Sequence, residues 1–533
     1  MKFVDVFLGD RILKSVVLIF ALILSGGSIR AQTGMEQHPN IIFILADDMG
    51  YGDISCNNPD AKIRTINIDR LAENGMRFTA AHTTSSVCTP SRYSILTGRY
   101  NWRSRLKQGV VSGYDRPLID ASRLTLADML KSKGYHTACI GKWHLGLEYT
   151  TKDGAAARFD PKTGKTNIEF EEPLRQTPND LGFDYYYGIA ASADMPPYMY
   201  IENRKFVQKY DRIDGDSRYT RTDMSRFFRP GPASKDITPE GILPDITARA
   251  KRYIEEQSAS RPFFLYFSLT APHKPIAPDR SFAGKTGIHG YLDFCLQVDE
   301  TVGTIVNTLK KQGLYENTLI IFTSDNGFAP YVDVRFMEDH GHYPSYIYRG
   351  YKADSWEGGH RVPLVVQWPG RIAPHTITNE LVSLADWFAT VSSIVHTAVP
   401  DNAAEDSYNL SPLLLGKNGP RPLREAIVYH SAKGEFAIQK GSWKLILCDE
   451  KTAGGSWVPD KRYDSLQSKT PFLLYDLETD PGETNNLYSR HPHKVKDLKA
   501  LLTRYITEGR STPGAIQQND PAPAWPQISW MKH

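Results

Sequence analysis

The sequence predicts an α/β protein: a sandwich built on a mixed, mostly parallel sheet, followed by a smaller subdomain with an antiparallel sheet and a helix. Three observations carry this. Short apolar runs rich in β-branched and aromatic residues alternate with longer amphipathic stretches as far as residue 415. After Leu415 the texture changes to short strand-like segments separated by polar turns. The composition, 41% hydrophobic and 23% charged over 533 residues, is that of a globular chain long enough for one large domain and a smaller one. A net charge of +3 is small for this length, so no polyanion-binding surface is implied and nucleic acid is not expected as a partner. The expected division is 1–31, 32–415 and 416–533.

The first of these parts reads as an export signal. Arg11 and Lys14 precede an unbroken apolar run from Val16 to Leu24, which passes into Ser25-Gly26-Gly27-Ser28, with cleavage expected near Ala31 or Gln32. A membrane anchor is the alternative, but the run is about half of the roughly 20 residues a spanning helix needs, and no later stretch is longer. The protein is therefore expected in the periplasm or outside the cell, without stable membrane insertion. Five cysteines, Cys56, Cys88, Cys139, Cys295 and Cys448, show no CxxC spacing, and their odd number leaves at least one without an intrachain disulfide partner.

From Asn40 the chain enters Ile41-Ile42-Phe43-Ile44-Leu45, the length and composition of a buried strand, and the acids Asp47 and Asp48 fall just beyond it. Ligands of open α/β sheets bind at that end of the strands. Adjacent carboxylates repel one another, so the pair points to a compensating cation or, alternatively, to a helix N-cap and its neighbour. Ile68 to Phe78, with Leu71, Gly75 and Met76, reads as a short helix ending in glycine. Ser91 to Leu96 begins another, with Pro90 near its first turn and Cys88 beside its positive end. Leu126 to Lys133 is a helix capped by Thr125, and Tyr135 to Ile140 a strand that leads to Lys142 and His144. Residues 150–180 read as a long polar loop.

Ile246 to Glu256 is helical, and the strand Pro262 to Leu269 runs into Ala271-Pro272-His273-Lys274-Pro275. A long helix, Tyr291 to Gln312, precedes the strand Leu319 to Phe322, which ends in Thr323-Ser324-Asp325-Asn326-Gly327. Placed side by side, this strand and the first would bring Asp47, Asp48, Asp325 and Asn326 to one point. That all-oxygen set suits one hard divalent cation, Ca²⁺ or else Mg²⁺. Pro363 to Trp368 is a further strand and Leu384 to Val395 a further helix. Beyond the linker Gly416 to Pro422, strands are expected at Ala426 to Tyr429, Phe436 to Gln439, Trp443 to Leu447 and Leu474 to Leu477. Pro492 to Ile506 is a closing helix, and the proline-rich segment after Gly509 is expected to lie extended on the surface.

Cys88-Thr89-Pro90-Ser91-Arg92, followed by Thr97-Gly98-Arg99, resembles the signature of the type I sulfatases. So do Gly141-Lys142-Trp143-His144-Leu145-Gly146, the segment Gly188 to Ser192, and Tyr348 to Arg361 with Lys352. The resemblance spans most of the chain and implies an alkaline-phosphatase-like sandwich, with a sulfatase catalytic domain as its second part. It also implies that a formylglycine-generating or sulfatase-maturating enzyme oxidises Cys88 to formylglycine, and that the product hydrolyses sulfate esters. In that scheme Arg92 steadies the hydrated aldehyde, and Lys142 and Lys352 bind sulfate oxygens. His144 takes the diol proton, His273 protonates the leaving oxygen, Ser192 lies near the sulfate, and the four oxygen ligands hold the metal. The alternatives are hydrolysis of phosphate or phosphonate esters, or an inactive binder of sulfated ligands.

For the substrate, the loops carry the reading. Phe328 to Arg349 contains Tyr331, Asp333, Arg335, Asp339, His340, His342 and Tyr343, and Asp194, Tyr198 and Tyr200 follow Ser192. Planar charged groups mixed with aromatic faces suit hydroxyl-rich sugars, although a solvated loop with no such role has the same composition. The expectation is a carbohydrate sulfatase acting on a sulfated saccharide, with Asp194, His340 and His342 reading the sugar.

Overall fold

The computed structural model describes residues 38–532 apart from 217–224, 418, 420, 456–460, 464–465, 467 and 523. The expected export signal lies outside the described residues. The chain enters with β1 (Asn40–Ala46), and β2 (Met76–Phe78) and β3 (Ala81–His82) follow the helix Ile66–Glu73. Next come β4 (His136–Lys142), β5 (Tyr185–Ile189), the short β6 (Ile201–Glu202) and β7 (Lys205–Phe206), and the antiparallel pair β8 (Arg212–Asp216) and β9 (Phe228–Ala233). They are followed by β10 (Phe263–Ser268), β11 (Thr318–Ser324), β12 (Leu364–Gln367), β13 (Thr376–Thr378) and β14 (Val382–Ser383). A separate four-stranded sheet contains β15 (Ile427–His430), β16 (Phe436–Lys440), β17 (Trp443–Ile446) and β18 (Leu473–Asp476), antiparallel throughout.

The large sheet has ten strands in the order β13-β2-β12-β11-β1-β10-β4-β5-β6-β7. Its centre, from β11 through β1, β10 and β4 to β5, is parallel. Here β1 explains the layering, because its alternate residues enter two different cores. Ile41, Phe43 and Leu45 pack on one face with Tyr93, Leu96 and Trp387, while Ile42 and Ile44 pack on the other with Ile246, Val298 and Val302. A strand that is apolar on both sides needs helices on both. The helices Cys88–Thr97, Leu126–Ser132 and Trp387–Ile394 serve the first face, and Pro239–Glu255 and Gly290–Lys311 the second.

Parallel register then sets the site. Ala46 of β1 lies opposite Ser324 of β11, and Leu45 opposite Ser268 of β10, which in turn faces Gly141 of β4. The residues that follow, Asp47, Asp325 and Lys142, therefore leave the sheet at one edge.

Several elements depart from expectation. The helix read over Ile68 to Phe78 ends at Glu73, and Met76 to Phe78 instead form β2 between β12 and β13. Gly75 lies just past the break, where the chain passes so close to β12 that a Cβ would stand 2.2 Å from the Val366 carbonyl oxygen. The first turn of Leu384 to Val395 is 3₁₀, whereas β12, antiparallel to β11, is part of what makes the sheet mixed as expected. The C-terminal segment does lie on the surface, with no helix or strand over the described residues of 512–525, but it is tied down. Arg99, itself buried, donates to the Gln518 carbonyl at 2.8 Å and to Asp520 at 3.1 Å, and Trp530 is buried in a cluster with Tyr100 and Trp102. Proline-rich composition signalled a lack of regular structure here, which is not a lack of partners.

Candidate active site

Cys88 is the first residue of the helix Cys88–Thr97 and is almost fully buried. Its Sγ lies 3.2 Å from Lys352 Nζ, 3.7 Å from Asp47 Oδ1 and 3.8 Å from Asp48 Oδ1. Burial, with Asp325 and Asp48 nearby, pushes the thiol well above its ordinary range in spite of Lys142 and Lys352. The unmodified side chain is thus held as a protonated thiol, a poor nucleophile.

Three cations face three carboxylates around it. Lys142 Nζ lies 2.8 Å from both oxygens of Asp47, and Lys352 Nζ 2.6 and 2.9 Å from those of Asp48. Arg92 donates to Asp325 Oδ2 through Nε at 2.9 Å, and its Nη2 forms an ion pair with the same oxygen at 2.7 Å. All six are buried. Burial alone would raise the Asp48 carboxyl, but Lys352, His273 and Lys142 hold it below the ordinary carboxylate range. Asp48 sits at a φ of 68°, a left-handed conformation that a β-strand cannot continue. The turn aims its carboxylate at Asn326, whose Nδ2 donates to it at 2.7 Å.

That contact bears on a metal. The Asn326 Oδ1 is buried and has no hydrogen-bond partner among the described residues, so it is available to a cation. Oxygens of Asp47 and Asp48 come within 4.8 Å of ligand atoms of Cys88 and His273. Asp47, Asp48, Asp325 and Asn326 fit a hard divalent cation chemically.

The two histidines are poised differently. His144 Nε2 lies 2.9 Å from the Val111 carbonyl, which can only accept, so this nitrogen carries the hydrogen. Burial, with Lys142 and Arg92 adding to it, holds the ring far below its ordinary pKa and therefore neutral, and its Nδ1 is buried with no partner among the described residues. A bare nitrogen of this kind is a base. His273 is fixed through Nδ1 by the Lys274 carbonyl at 2.7 Å, leaving Nε2 3.6 Å from Asp48 Oδ2. Burial lowers it to about 3 against the pull of Asp48.

The structure brings Ser192 and Asp194 to buried positions on the turn after β5. Neither Ser192 Oγ nor Asp194 Oδ1 has a hydrogen-bond partner among the described residues, and Asp194 Oδ1 is 4.0 Å from His273 Nδ1. The two histidines expected to read a sugar are placed otherwise. His342 is fully buried with both ring nitrogens engaged, Nε2 to Asp53 at 2.8 Å and Nδ1 to the Lys62 amide at 3.3 Å, so it braces the turn after β1 and offers nothing to a ligand. His340 is exposed at the end of the helix Val334–Asp339, with Nδ1 2.7 Å from the Phe336 carbonyl.

Three side chains escaped the sequence reading of the site. The Tyr331 hydroxyl donates to Asp48 Oδ2 and accepts from Lys352 Nζ at 2.8 Å. Lys274 Nζ lies 3.7 Å from Asp194, and Arg229 binds the same carboxylate. Tyr331 and Lys274 stood in segments already singled out, but nothing in Arg229's surroundings along the chain distinguishes it. A second buried group, His82, Glu357 and His360, also has ligand-like spacing, but Lys444 Nζ occupies it, 3.0 Å from both Glu357 Oε1 and His360 Nε2.

A doubly covered parallel sheet whose strand ends gather carboxylates, cations and neutral histidines around a helix-end cysteine defines a hydrolytic enzyme for anionic esters. The comparisons name the ester. The sulfatase family model matches residues 39–397, and a model described as N-sulphoglucosamine sulphohydrolase, C-terminal, matches residues 351–511. An N-acetylgalactosamine-6-O-sulfatase of Bacteroides thetaiotaomicron is 36% identical, covering 88% of this chain and 93% of its own length. Human arylsulfatase A is 32% identical, covering 93% and 94%. A solved structure from work on the metabolism of multiple glycosaminoglycans by Bacteroides thetaiotaomicron is 34% identical, with a TM-score of 0.74, covering 88% of this chain and 99% of that one. The chain belongs to the sulfatase family and is a sulfuric ester hydrolase of alkaline-phosphatase-like fold. No helix among the described residues is long and apolar enough to cross a membrane.

Proposed function

We propose that this protein is an exported carbohydrate sulfatase that works through a formylglycine made from Cys88. The observation that carries the mechanism is the position of Cys88: at the first residue of its helix, its Sγ lies 3.7 Å from Asp47 Oδ1, 3.8 Å from Asp48 Oδ1 and 3.2 Å from Lys352 Nζ. A centre so equipped with charge is built for a different group at that position. Hydrated formylglycine supplies two hydroxyls on one carbon, one to attack sulfur and one whose deprotonation releases sulfate. A divalent cation, Ca²⁺ or Mg²⁺, held by Asp47, Asp48, Asp325 and Asn326 would supply positive charge for the sulfate oxygens and lower the pKa of the attacking hydroxyl.

The chain's own residues do the rest. Lys142 and Lys352 meet charge that builds on the sulfate oxygens, and Arg92 balances Asp325 and steadies the nucleophile's end. His144 accepts the diol proton at its bare Nδ1. His273 delivers a proton to the leaving oxygen. The negative charge of a bound sulfate ester raises the proton affinity of Nε2, which is too low in the empty site. Tyr331 and Lys352 share Asp48 and keep that carboxylate aligned.

The carbohydrate reading rests on Ser192 and Asp194, whose unpartnered buried oxygens suit sugar hydroxyls, and on the 6-sulfated N-acetylgalactosamine named for the Bacteroides relative. The test is sulfate release from N-acetylgalactosamine 6-sulfate and from a small aryl sulfate, for the parent and for Asp194→Ala. Selective loss of the saccharide activity is expected; equal loss on both, or on neither, sinks the reading. The protein must come from a host with a maturating enzyme. Conversion is checked as a loss of roughly 18 Da from the Cys88 peptide.

A further inference from the structure

A groove beside this centre takes no part in the chemistry described so far. It has a volume of about 510 Å³ and is lined by Val111, Ser112, Tyr114, Met195, Pro196 and Arg229, with further contributions from the loop at Phe159. That volume lies within the roughly 300–1,000 Å³ of small-molecule sites.

Both walls are tied to catalytic groups. On one side, the Val111 carbonyl holds His144 at 2.9 Å, and the Val111 amide donates to Oγ1 of Thr89, next to Cys88, at 3.3 Å. On the other, Met195 and Pro196 follow Asp194 directly. The walls meet at Gly113, where a Cβ would stand 1.9 Å from the Pro196 carbonyl oxygen, and the Gly113 carbonyl is held by the Tyr149 hydroxyl at 2.6 Å. The groove is thus preformed.

Arg229 is its charged element. Its backbone amide donates to the Asp194 carbonyl at 3.0 Å, and one terminal nitrogen, NH1, donates to the same carbonyl at 3.2 Å and to the Asp194 carboxylate. The side chain is 46% exposed, its Cζ lies 5.7 Å from the centroid of the Phe227 ring, and among the described residues its hydrogen bonds all run through that one terminal nitrogen. A guanidinium anchored through one nitrogen presents its remaining coplanar donors as a fork that matches a carboxylate. Asp194 is shared with Lys274, whose Nζ lies 3.7 Å from it, so the Arg229 guanidinium is not its sole counter-charge.

We infer that this groove seats the ring next to the sulfated one in a glycan chain, and that Arg229 binds a carboxylate on that ring. The apolar walls face the ring's C–H surface, and the fork reads its acid. This rests on the carbohydrate reading above.

The experiment is a substrate-by-residue cycle. Sulfate release is measured on a sulfated disaccharide whose second ring carries a carboxylate, on its carboxyl-reduced counterpart, and on the sulfated monosaccharide, for the parent and for Arg229→Gln. The parent is expected to favour the carboxylated disaccharide over the reduced one by about tenfold in kcat/KM, the scale of a hydrogen bond to a charged group, and Arg229→Gln to bring that ratio near one. A general disturbance passed through Asp194 cancels in the ratio. Ser112→Trp, at an exposed lining position, is expected to raise KM for the disaccharide several-fold and leave the monosaccharide unaffected. A ratio unchanged in Arg229→Gln overturns the inference, as does a preference that follows a sulfate on the second ring. Turnover of aryl sulfate with none of any sulfated saccharide overturns the carbohydrate reading, and this inference with it.

Discussion

Replacing Lys444 with methionine removes one ammonium from a place where two carboxylates depend on it. Lys444, on β17, lies 3.0 Å from Glu357 Oε1 and 2.8 Å from Glu483 Oε1, with no solvent exposure at any of the three. In the variant Glu357 keeps Arg361 at 2.7 Å, while the Glu483 carboxylate retains, among the described residues, only the Glu357 amide, also at 2.7 Å. Breaking a buried ion pair from one side costs about 3–5 kcal/mol, against a total stability of about 5–15 kcal/mol for a typical domain. The sign of the pH dependence follows from Glu483. Burial pushes its carboxyl up to about 7 against the pull of Lys444, with Glu357 adding to the rise. An acid with a raised folded-state pKa favours folding at low pH, and that contribution is lost as pH climbs from its ordinary value of 4.5 toward 7. Without Lys444 the folded pKa rises further, so the loss continues beyond neutrality and the variant's deficit is larger near about pH 8 than near about pH 6. Urea denaturation of parent and variant at both conditions measures it. A deficit under about 1 kcal/mol at the higher pH, or one that does not change with pH, would refute the reasoning.

Two further substitutions address the chemistry. Cys88→Ala is expected to abolish sulfate release while leaving the unfolding free energy from urea denaturation within about 1 kcal/mol of the parent, since a small buried side chain replaces a small buried thiol; turnover near the parental rate would exclude the formylglycine route. Asp325→Ala is expected to lose both bound metal and activity, and also to destabilise by about 3–5 kcal/mol because Arg92 is left buried without its main partner. Elemental analysis should find one calcium or magnesium per parent chain. Stoichiometric zinc instead, or metal retained in the variant, would contradict the assigned oxygen set.

Much of the fold was legible because its signals are local. Ile41 to Leu45 is apolar at every position, which only a strand covered on both faces satisfies, and Thr125 before Leu126 is a cap whose side chain does accept the Asp128 amide. A glycine end to the helix was legible, and the helix does stop two residues before Gly75, but that Met76 to Phe78 form a strand depends on β12 and β13, nearly three hundred residues away. His342 was misread for a similar reason. A histidine in a polar loop looks available, and its engagement with Asp53 and Lys62 depends on two loops meeting in space.

By itself the sequence determined the class of layers, the motif around Cys88 and the residue types of the centre, because strand composition, helix caps and short motifs are written within a few neighbours of each other. Only the tertiary structure decided which charges pair. Parallel register sets Asp47 level with Asp325, and the turn at Asp48 carries it to Lys352, Asn326 and Tyr331. The same is true of Arg229, a half-exposed arginine on β9 with no motif around it, which meets Asp194 thirty-five residues earlier in the chain. Electrostatic partners act over a few ångströms of space whatever their separation along the chain, so which groups become base, anchor or brace is settled when the strands take their places.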